Sequence, residues 1–421
     1  MYNYTPMSRK MQVLLVTYFG LEQGGGVATA TAMLATELAR KNCQVFIAAT
    51  EAFDFPDYPQ IKTILLPTVR QIPHLARRDQ LLTRVLQKII TENQIDLIHA
   101  TDDRYVGVAA IQAAHNCHRS VVQDFRDYWF CCLKGDLLFQ NRQPCTGLEL
   151  NKCLRCLHPA KTPWTAYKYY HWQKRLPVFA RADLKLPVSQ AVADQLQRFG
   201  LATNSHVFYD TLPEFDQQGR SFDPVKITSL LKLYQLTDKT IVFFAGRLIY
   251  HRGIKVLLET ALLLQKSNPK IHFLIAGDGE LRDYINDFVT AHQLRNLTLL
   301  GQISPIQMAD FYQLADLVFF PSQLHEPFSR TVLEAVFYEL PVVTSNLGGL
   351  KELITDGQNG FLIDPQDPIQ ATEKILQIAL NSRTQIKMSA ANHERQKDFS
   401  RRQYFDRLLT HYQDLIAQYV A

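Results

Sequence analysis

Short apolar runs of strand length alternate along this chain with stretches whose apolar residues recur at helical spacing. The first run, Met11 to Thr17, leads into Gly24-Gly25-Gly26 and then into a helix-patterned stretch from Val27 to Lys41. Strand, glycine turn and helix in that order open a βαβ unit. Further runs at Gln44 to Ala49, Ile61 to Leu66, Asp96 to Ala100 and Ser120 to Gln123 are separated by amphipathic stretches such as Gln80 to Asn93. The alternation predicts a parallel sheet with helices on both faces. Between Thr211 and Lys226 periodicity gives way to Pro, Gly, Asp and Gln, the make-up of an interdomain linker. A second series then begins, with strands expected at Thr240 to Ala245, Ile271 to Ala276, Leu297 to Leu300, Leu317 to Phe320 and Val342 to Thr344.

The expected fold class is therefore α/β, with two doubly wound parallel-sheet domains. Residues 1–212 form the first, with a cysteine-rich insertion near 131–160, and residues 213–403 form the second. Residues 404–421 belong to a final amphipathic helix whose apolar face needs a partner and is expected to pack back on the first domain. No short-period repeat points to a solenoid.

Composition narrows the function classes. Of 421 residues, 47% are hydrophobic and 20% charged, so the chain can build two cores. Forty-five Lys and Arg against 40 Asp and Glu leave a formal charge of +5, too small over this length to predict nucleic-acid binding. No apolar run reaches the roughly 20 residues of a spanning helix, so neither export nor membrane insertion is expected, and the predicted location is the cytoplasm.

The sharpest chemical signal is Pro321-Ser-Gln-Leu-His-Glu326-Pro-Phe-Ser-Arg330-Thr-Val-Leu-Glu334, which sets two carboxylates seven residues apart across a loop-to-helix junction. A helix starting near Ser329 aims its first amides toward Glu326 and can hold an anionic phosphate, while Glu334 lies deeper along it. Such a pair can grip hydroxyls at two ends of a long ligand; two solvated carboxylates on a capped helix are the plain alternative. The second signal is Gly246-Arg247-Leu-Ile-Tyr-His-Arg252-Gly253, a strand end that carries two guanidinium groups where open α/β sheets bind ligands. It reads as a diphosphate clamp or as a surface loop with two solvated arginines. Gly25 and Gly26 allow close approach of backbone to a phosphate or sugar, but their spacing is not the dinucleotide fingerprint.

Five of the seven cysteines fall between Cys131 and Cys156. Cys132, Cys145, Cys153 and Cys156 have a spacing able to close a tetrahedral thiolate site, with a structural zinc and free or redox-active thiols as the two readings, and Cys131 as a substitute ligand. From Lys161 to Lys185, Trp164, Tyr167, Tyr169, Tyr170 and Trp172 are interleaved with Lys168, Lys174 and Arg175. The stripe reads as helix packing, as the lining of an acceptor groove, or as a peripheral membrane contact.

These residues resemble the retaining GT-B glycosyltransferases of family 4, over nearly the whole chain and most strongly from Ile241 to Asp364. The resemblance implies two Rossmann-like domains facing a central cleft. It implies that Arg247 and Arg252 hold the donor diphosphate, Arg252 standing where Lys is usual, that Glu326 lies by the transferred sugar and that Glu334 binds the ribose. Phe328, Ser329 and Arg330 would offer backbone amides to the donor, Ser329 standing where Gly is common. Gly348-Gly349, Glu352 and Asp356 to Phe361 are similar to a pattern that serves folding. Gly25-Gly26, His99 and Ser189 match the family's glycine loop, fourth-strand motif and strand-end Ser.

One position departs from the pattern. Where similar members carry His-Asp after the strand Val121-Val122, this chain has Arg126-Asp127. Arg126 stabilises an acidic sugar or the leaving diphosphate, or it marks a changed or lost activity; the sequence leaves these open. The implied function is transfer of a sugar from a nucleotide-diphosphate-sugar to a hydroxyl of a glycan or lipid-linked acceptor, with retention at the anomeric carbon. No cofactor is required, and Arg126 and Asp127 complete the reaction centre from the first domain. The alternatives are a nucleotide-sugar epimerase of the same architecture and a non-catalytic nucleotide-sugar or glycan-binding protein.

Overall fold

In the computed structural model the described residues are 9–18, 20, 25–68, 74–140, 143–157, 162–212 and 223–420. Gly24, Lys161 and residues 213–222 of the expected linker lie outside them. The chain divides into two compact units. One runs to Tyr209 and adds residues 402–421; the other is Asp210–Arg401.

The first unit contains β1 (Gln12–Val16), α1 (Gly25–Arg40), β2 (Gln44–Ala49), β3 (Ile61–Leu65), α2 (Leu75–Glu92), β4 (Leu97–Ala100), α3 (Gly107–Asn116) and β5 (Ser120–Phe125). The hairpin strands β6 (Leu138–Phe139) and β7 (Gln143–Pro144) follow, then α4 (Leu150–Cys156), α5 (Thr162–Ala180), β8 (Leu184–Pro187) and α6 (Gln190–Arg198). Six strands form one parallel sheet in the order β3-β2-β1-β4-β5-β8. Its central strands are buried along nearly their whole length because helices cover both faces, which is why they read as continuous apolar runs. The helix begins two residues before the expected Val27, at Gly25, whose φ of 52° is the left-handed conformation of a turn glycine.

The second unit contains α7 (Pro224–Leu233), β9 (Thr240–Ala245), α8 (Ile254–Ser267), β10 (Ile271–Ala276), α9 (Arg282–Ala291), β11 (Leu297–Gly301), α10 (Pro305–Leu314) and β12 (Leu317–Phe320). It continues with α11 (Arg330–Phe337), β13 (Val342–Ser345), α12 (Leu350–Leu353), β14 (Gly360–Ile363), α13 (Pro368–Ala379) and α14 (Ser382–Arg395). Its parallel sheet runs β11-β10-β9-β12-β13-β14, the same order as the first. Asp223 and Pro224 begin α7 as cap and first residue, so helix replaces the last part of the expected linker.

The last helix, α15 (Arg401–Val420), completes the first unit. Phe405, Leu408, Tyr412, Leu415 and Ile416 recur at helical spacing and merge with Val13, Val45, Ile47 and Leu97 in one core. Ser120 Oγ also donates to the Leu415 carbonyl at 3.0 Å.

Candidate functional site

Each sheet reverses its strand order between two central strands, and the chemistry gathers just past the carboxyl ends of those strands. In the second unit they are β9 and β12. After β9 the chain turns through Gly246 and Arg247, makes one short turn over Tyr250–Arg252 and enters α8 through Gly253. Gly253 has φ 74°, and a Cβ there would stand 1.8 Å from the Pro321 carbonyl oxygen. Only glycine lets the two loops touch, and this contact brings Arg252 to Glu326.

Glu326 is 4% exposed. Its Oε1 accepts from Ser322 Oγ at 2.6 Å and from Arg252 Nη1, whose guanidinium also lies 5.4 Å from the Phe320 ring centre. The reading of Glu326 as a solvated carboxylate is therefore excluded. The Nε of Arg252 is buried without an acceptor. Arg247 is exposed at the strand end. Ser329 caps α11, its Oγ accepting from the Val332 amide, and Thr331 Oγ1 ties the helix start to the Ala245 carbonyl at the end of β9.

Glu334 lies one turn into α11. Tyr312 donates to its Oε2 at 2.6 Å, and an Arg330 nitrogen is 3.9 Å from Oε1. Burial raises the Glu334 carboxyl above its ordinary range, against the opposing pull of Arg330 and Tyr312. Gly348 and Gly349 back the same loop: the Gly349 amide donates to the Glu326 carbonyl at 2.7 Å, and a Cβ on Gly348 would meet that carbonyl oxygen at 2.5 Å. Asn359 is buried, bonded to Thr355, Leu353 and Asn392, and serves the fold.

In the first unit, a cavity of about 170 Å³ opens past β1 and β4, with Thr17, Thr101, Asp102, Asp103, Asp127 and Trp129 among its walls. Asp103 and Asp127 hydrogen bond to each other, while the Phe130 amide donates to Asp103 at 3.0 Å and the Trp129 amide to Asp127 at 2.8 Å. Burial, then the charges of Asp127 and Asp102, push the Asp103 carboxyl well above the ordinary range. Burial likewise pushes Asp127 to about 7, the Trp129 amide opposing it and the Asp102 charge adding to it. The pair thus keeps a proton between its carboxylates into the neutral range.

Arg126, which lines the same cavity, is held by Asp124 at 3.4 Å. Asp124 accepts from His99 Nε2 at 2.7 Å, and His99 Nδ1 meets the Tyr412 hydroxyl on α15. Burial would raise the Asp124 carboxyl, yet His99 and Arg126 bring it below the usual range. Arg126 is thus seated by a four-residue chain that ends on the last helix. Gly25 and Gly26 stand in the first turn of α1, next to Val27 in the cavity wall.

Sequence reasoning missed Asp102, Asp103 and Asp124. Two consecutive aspartates just past a buried strand, where backbone amides need acceptors, were the available signal. The aromatic stripe on α5 divides: Tyr169 and Trp172 are buried, while Trp164 and Tyr170 are 41% and 57% exposed. Among the described residues no helix is long and apolar enough to cross a membrane.

Cys132, Cys145, Cys153 and Cys156 line one small cavity, whereas Cys131 is packed at 0% exposure against the Tyr128 carbonyl and does not reach it. Cys131 is therefore not the substitute ligand expected. Among the described residues, no three Cys, His, Asp or Glu stand as a ready ligand set for a metal.

Comparison with known proteins places this geometry. The family model for Glycosyltransferase Family 4 matches residues 24–210 and that for Glycosyl transferases group 1 matches residues 232–395. An uncharacterized glycosyltransferase of Methanocaldococcus jannaschii is 25% identical over 370 residues, covering 85% of this chain and 86% of that protein. The alpha-D-kanosaminyltransferase of Streptomyces kanamyceticus is 26% identical over 209 residues, 49% of this chain and 54% of that protein. Among solved structures, HepE from Anabaena in complex with UDP superposes with TM-score 0.72 at 19% identity, over 96% of this chain and 100% of that one. The sucrose-phosphate synthase of Thermosynechococcus elongatus superposes with TM-score 0.73 at 18% identity, over 97% and 100%. Two six-stranded parallel sheets of matching order, with one family model on each unit, lead to one conclusion: the chain belongs to the glycosyltransferases of the GT-B fold.

Proposed function

We propose that this glycosyltransferase moves a sugar from a nucleotide-diphosphate-sugar to an acceptor hydroxyl with retention at the anomeric carbon. The observation that carries the reading is Glu326, 4% exposed and fixed by Ser322 and Arg252 beside the start of α11. A carboxylate so restrained can accept from sugar hydroxyls without reorganising. Arg247, Arg252 and the backbone amides of Phe328, Ser329 and Arg330 take the diphosphate. The unaccepted Nε–H of Arg252 offers a donor to a phosphate oxygen. Glu334, with Oε2 held by Tyr312, accepts from the ribose hydroxyls.

The first unit takes the acceptor, through the cavity of Asp127 and Arg126 near Gly25 and Gly26. The bond between anomeric carbon and phosphate oxygen breaks as the acceptor oxygen bonds to the same face. The acceptor's proton passes to the departing phosphate oxygen. Positive charge from the arginines and the helix start offsets the leaving group, so this reading includes no metal at the reaction centre. The exposed Trp164 and Tyr170, with Lys168 5.5 Å from the Trp164 ring centre, favour a lipid-linked acceptor met at a cytoplasmic membrane surface.

UDP-sugars are the first donors to test, since the similar Anabaena HepE was solved with UDP and with UDP-glucose. Incubation with UDP-, GDP- and ADP-sugars should release nucleotide only when an acceptor is present, and the anomeric coupling of the product should match the donor's. Glu326→Gln should lower kcat about 100-fold or more. Turnover unchanged in that variant would remove Glu326 from the site.

A further inference from the structure

The cysteine-bearing segment is a small built unit of turn, hairpin and helix. A tight turn follows Cys132, with Gly135 at φ 77° and Leu137 at φ 51°. It directs the backbone amides of Lys134, Asp136 and Leu137 at the Cys132 sulfur. The β6–β7 hairpin then brings the chain back, and the Cys145 amide donates to the Leu137 carbonyl at 2.7 Å. Next comes α4, which carries Cys153 and Cys156 three residues apart and so on one face. The Gln140 amide donates to Cys156 Sγ at 3.3 Å.

Two separate sulfurs therefore accept backbone N–H groups. A neutral thiol accepts such bonds weakly, whereas a metal-bound thiolate accepts them well. As thiols the two also donate, Cys132 to Asp136 Oδ1 at 3.8 Å and Cys156 to the Leu138 carbonyl at 3.5 Å, bonds that metal binding would replace. The four cysteines border a cavity of about 20 Å³, room for a single ion or water molecule. Lys134 and Lys152 line it as well. None of the four is in a disulfide.

We propose that Cys132, Cys145, Cys153 and Cys156 form a tetrahedral thiolate site for one zinc ion. Binding replaces four S–H bonds by four zinc–sulfur bonds of about 2.3 Å and releases four protons to solvent, with no change of oxidation state. The resulting complex carries two net negative charges beside Lys134 and Lys152, which also pair with Asp136 at 3.1 Å and Glu149 at 2.6 Å. Because no three of these sulfurs yet form a ready ligand set, the ion draws them inward over its small cavity. What the ion fixes is the wall before Cys132. Trp129 lines the acidic cavity and its carbonyl accepts from Trp172 Nε1, while Gly135 packs so closely that a Cβ would stand 2.5 Å from the Trp129 ring.

The test uses the full chain, untagged, from zinc-supplemented cells and passed over a metal-free resin. Elemental analysis should find about one zinc per chain. A mercurial should displace it, read with a zinc indicator, as four thiols become reactive. Cys153→Ser combined with Cys156→Ser should lose the metal, and Cys117→Ser should keep it. Because the double variant could fail to fold, the stripped wild-type chain is also refilled with cobalt, which should give thiolate-to-cobalt charge-transfer bands and the strong visible bands of a tetrahedral site. Any of three results would overturn the proposal: a chain without stoichiometric zinc, cobalt spectra lacking thiolate bands, or a Cys153–Cys156 disulfide in the native protein.

Discussion

The two units share one strand order and place their charged groups at the same topological point, yet they treat charge in opposite ways. Past β9 and β12, Glu326 is matched to the guanidinium of Arg252, and its side chain is buried and held in place. Past β1 and β4, Asp102, Asp103 and Asp127 crowd one cavity, and burial raises all three. Scaffold alone does not decide the chemistry; the loops after the strands do. One unit pairs its buried carboxylate with a guanidinium, the other holds a proton near neutrality.

The largest expected effect comes from breaking the matched pair. Arg252→Met strands a buried carboxylate and should cost the second unit roughly 2–4 kcal/mol in urea unfolding. A loss under about 0.5 kcal/mol would mean the pair is solvent-screened and the contrast between units is overstated. Next is Gly348→Ala, which combines φ 53° with a Cβ 2.5 Å from the Glu326 carbonyl oxygen. It should cost about 1–2 kcal/mol and lower kcat more than it raises KM, because it displaces the loop that carries Glu326.

The acidic cavity is probed by pH. The folded pKa of Asp127, about 7, lies above the ordinary carboxylate value, so the folded state keeps a proton that the unfolded chain sheds. The group's contribution is complete below the unfolded value near pH 4 and is lost as pH rises toward 7. Asp127→Asn should therefore flatten the decline in melting temperature across that window and raise it by a few degrees at pH 8. Identical pH profiles for variant and wild type would place the proton elsewhere. The smallest effect is expected from Tyr412→Phe, which removes the bond to His99 and should cost about 1 kcal/mol. Activity should shift with it only if Arg126 depends on the chain through Asp124.

Much of this was legible in the sequence because local rules and tertiary demand agree. Buried parallel strands must be apolar throughout, so β1, β4, β9 and β12 announce themselves. Ser329 caps a helix for the reason a Ser in that position usually does. Spacing alone places Glu326 before a helix start and Glu334 on its second turn but does not tell a buried carboxylate from a solvated one; the resemblance singles the pair out. The failures have equally physical causes. Gly25 and Gly26 read as a turn by propensity; α1 is entered two residues earlier than the apolar pattern marks, through Gly25 at a left-handed φ of 52°. Arg252 and Glu326 are 74 positions apart, and His99 and Tyr412 are 313 apart. No local pattern encodes contacts that exist only once the sheets have ordered the loops. Asp103 looks like a surface aspartate until β4 and β5 are set side by side and bring it to Asp127.

The return of α15 to the first unit has a consequence for biogenesis. Translation delivers the seat for Leu408, Tyr412 and Ile416 early and the helix that fills it last, after the entire second unit has been made. The nascent amino-terminal lobe must therefore wait with an oily furrow open, a state that invites chaperone capture. Ribosome-stalled chains ending before residue 401 should be cut by protease within this lobe far faster than the released protein, and equal resistance would show that the furrow closes without its plug.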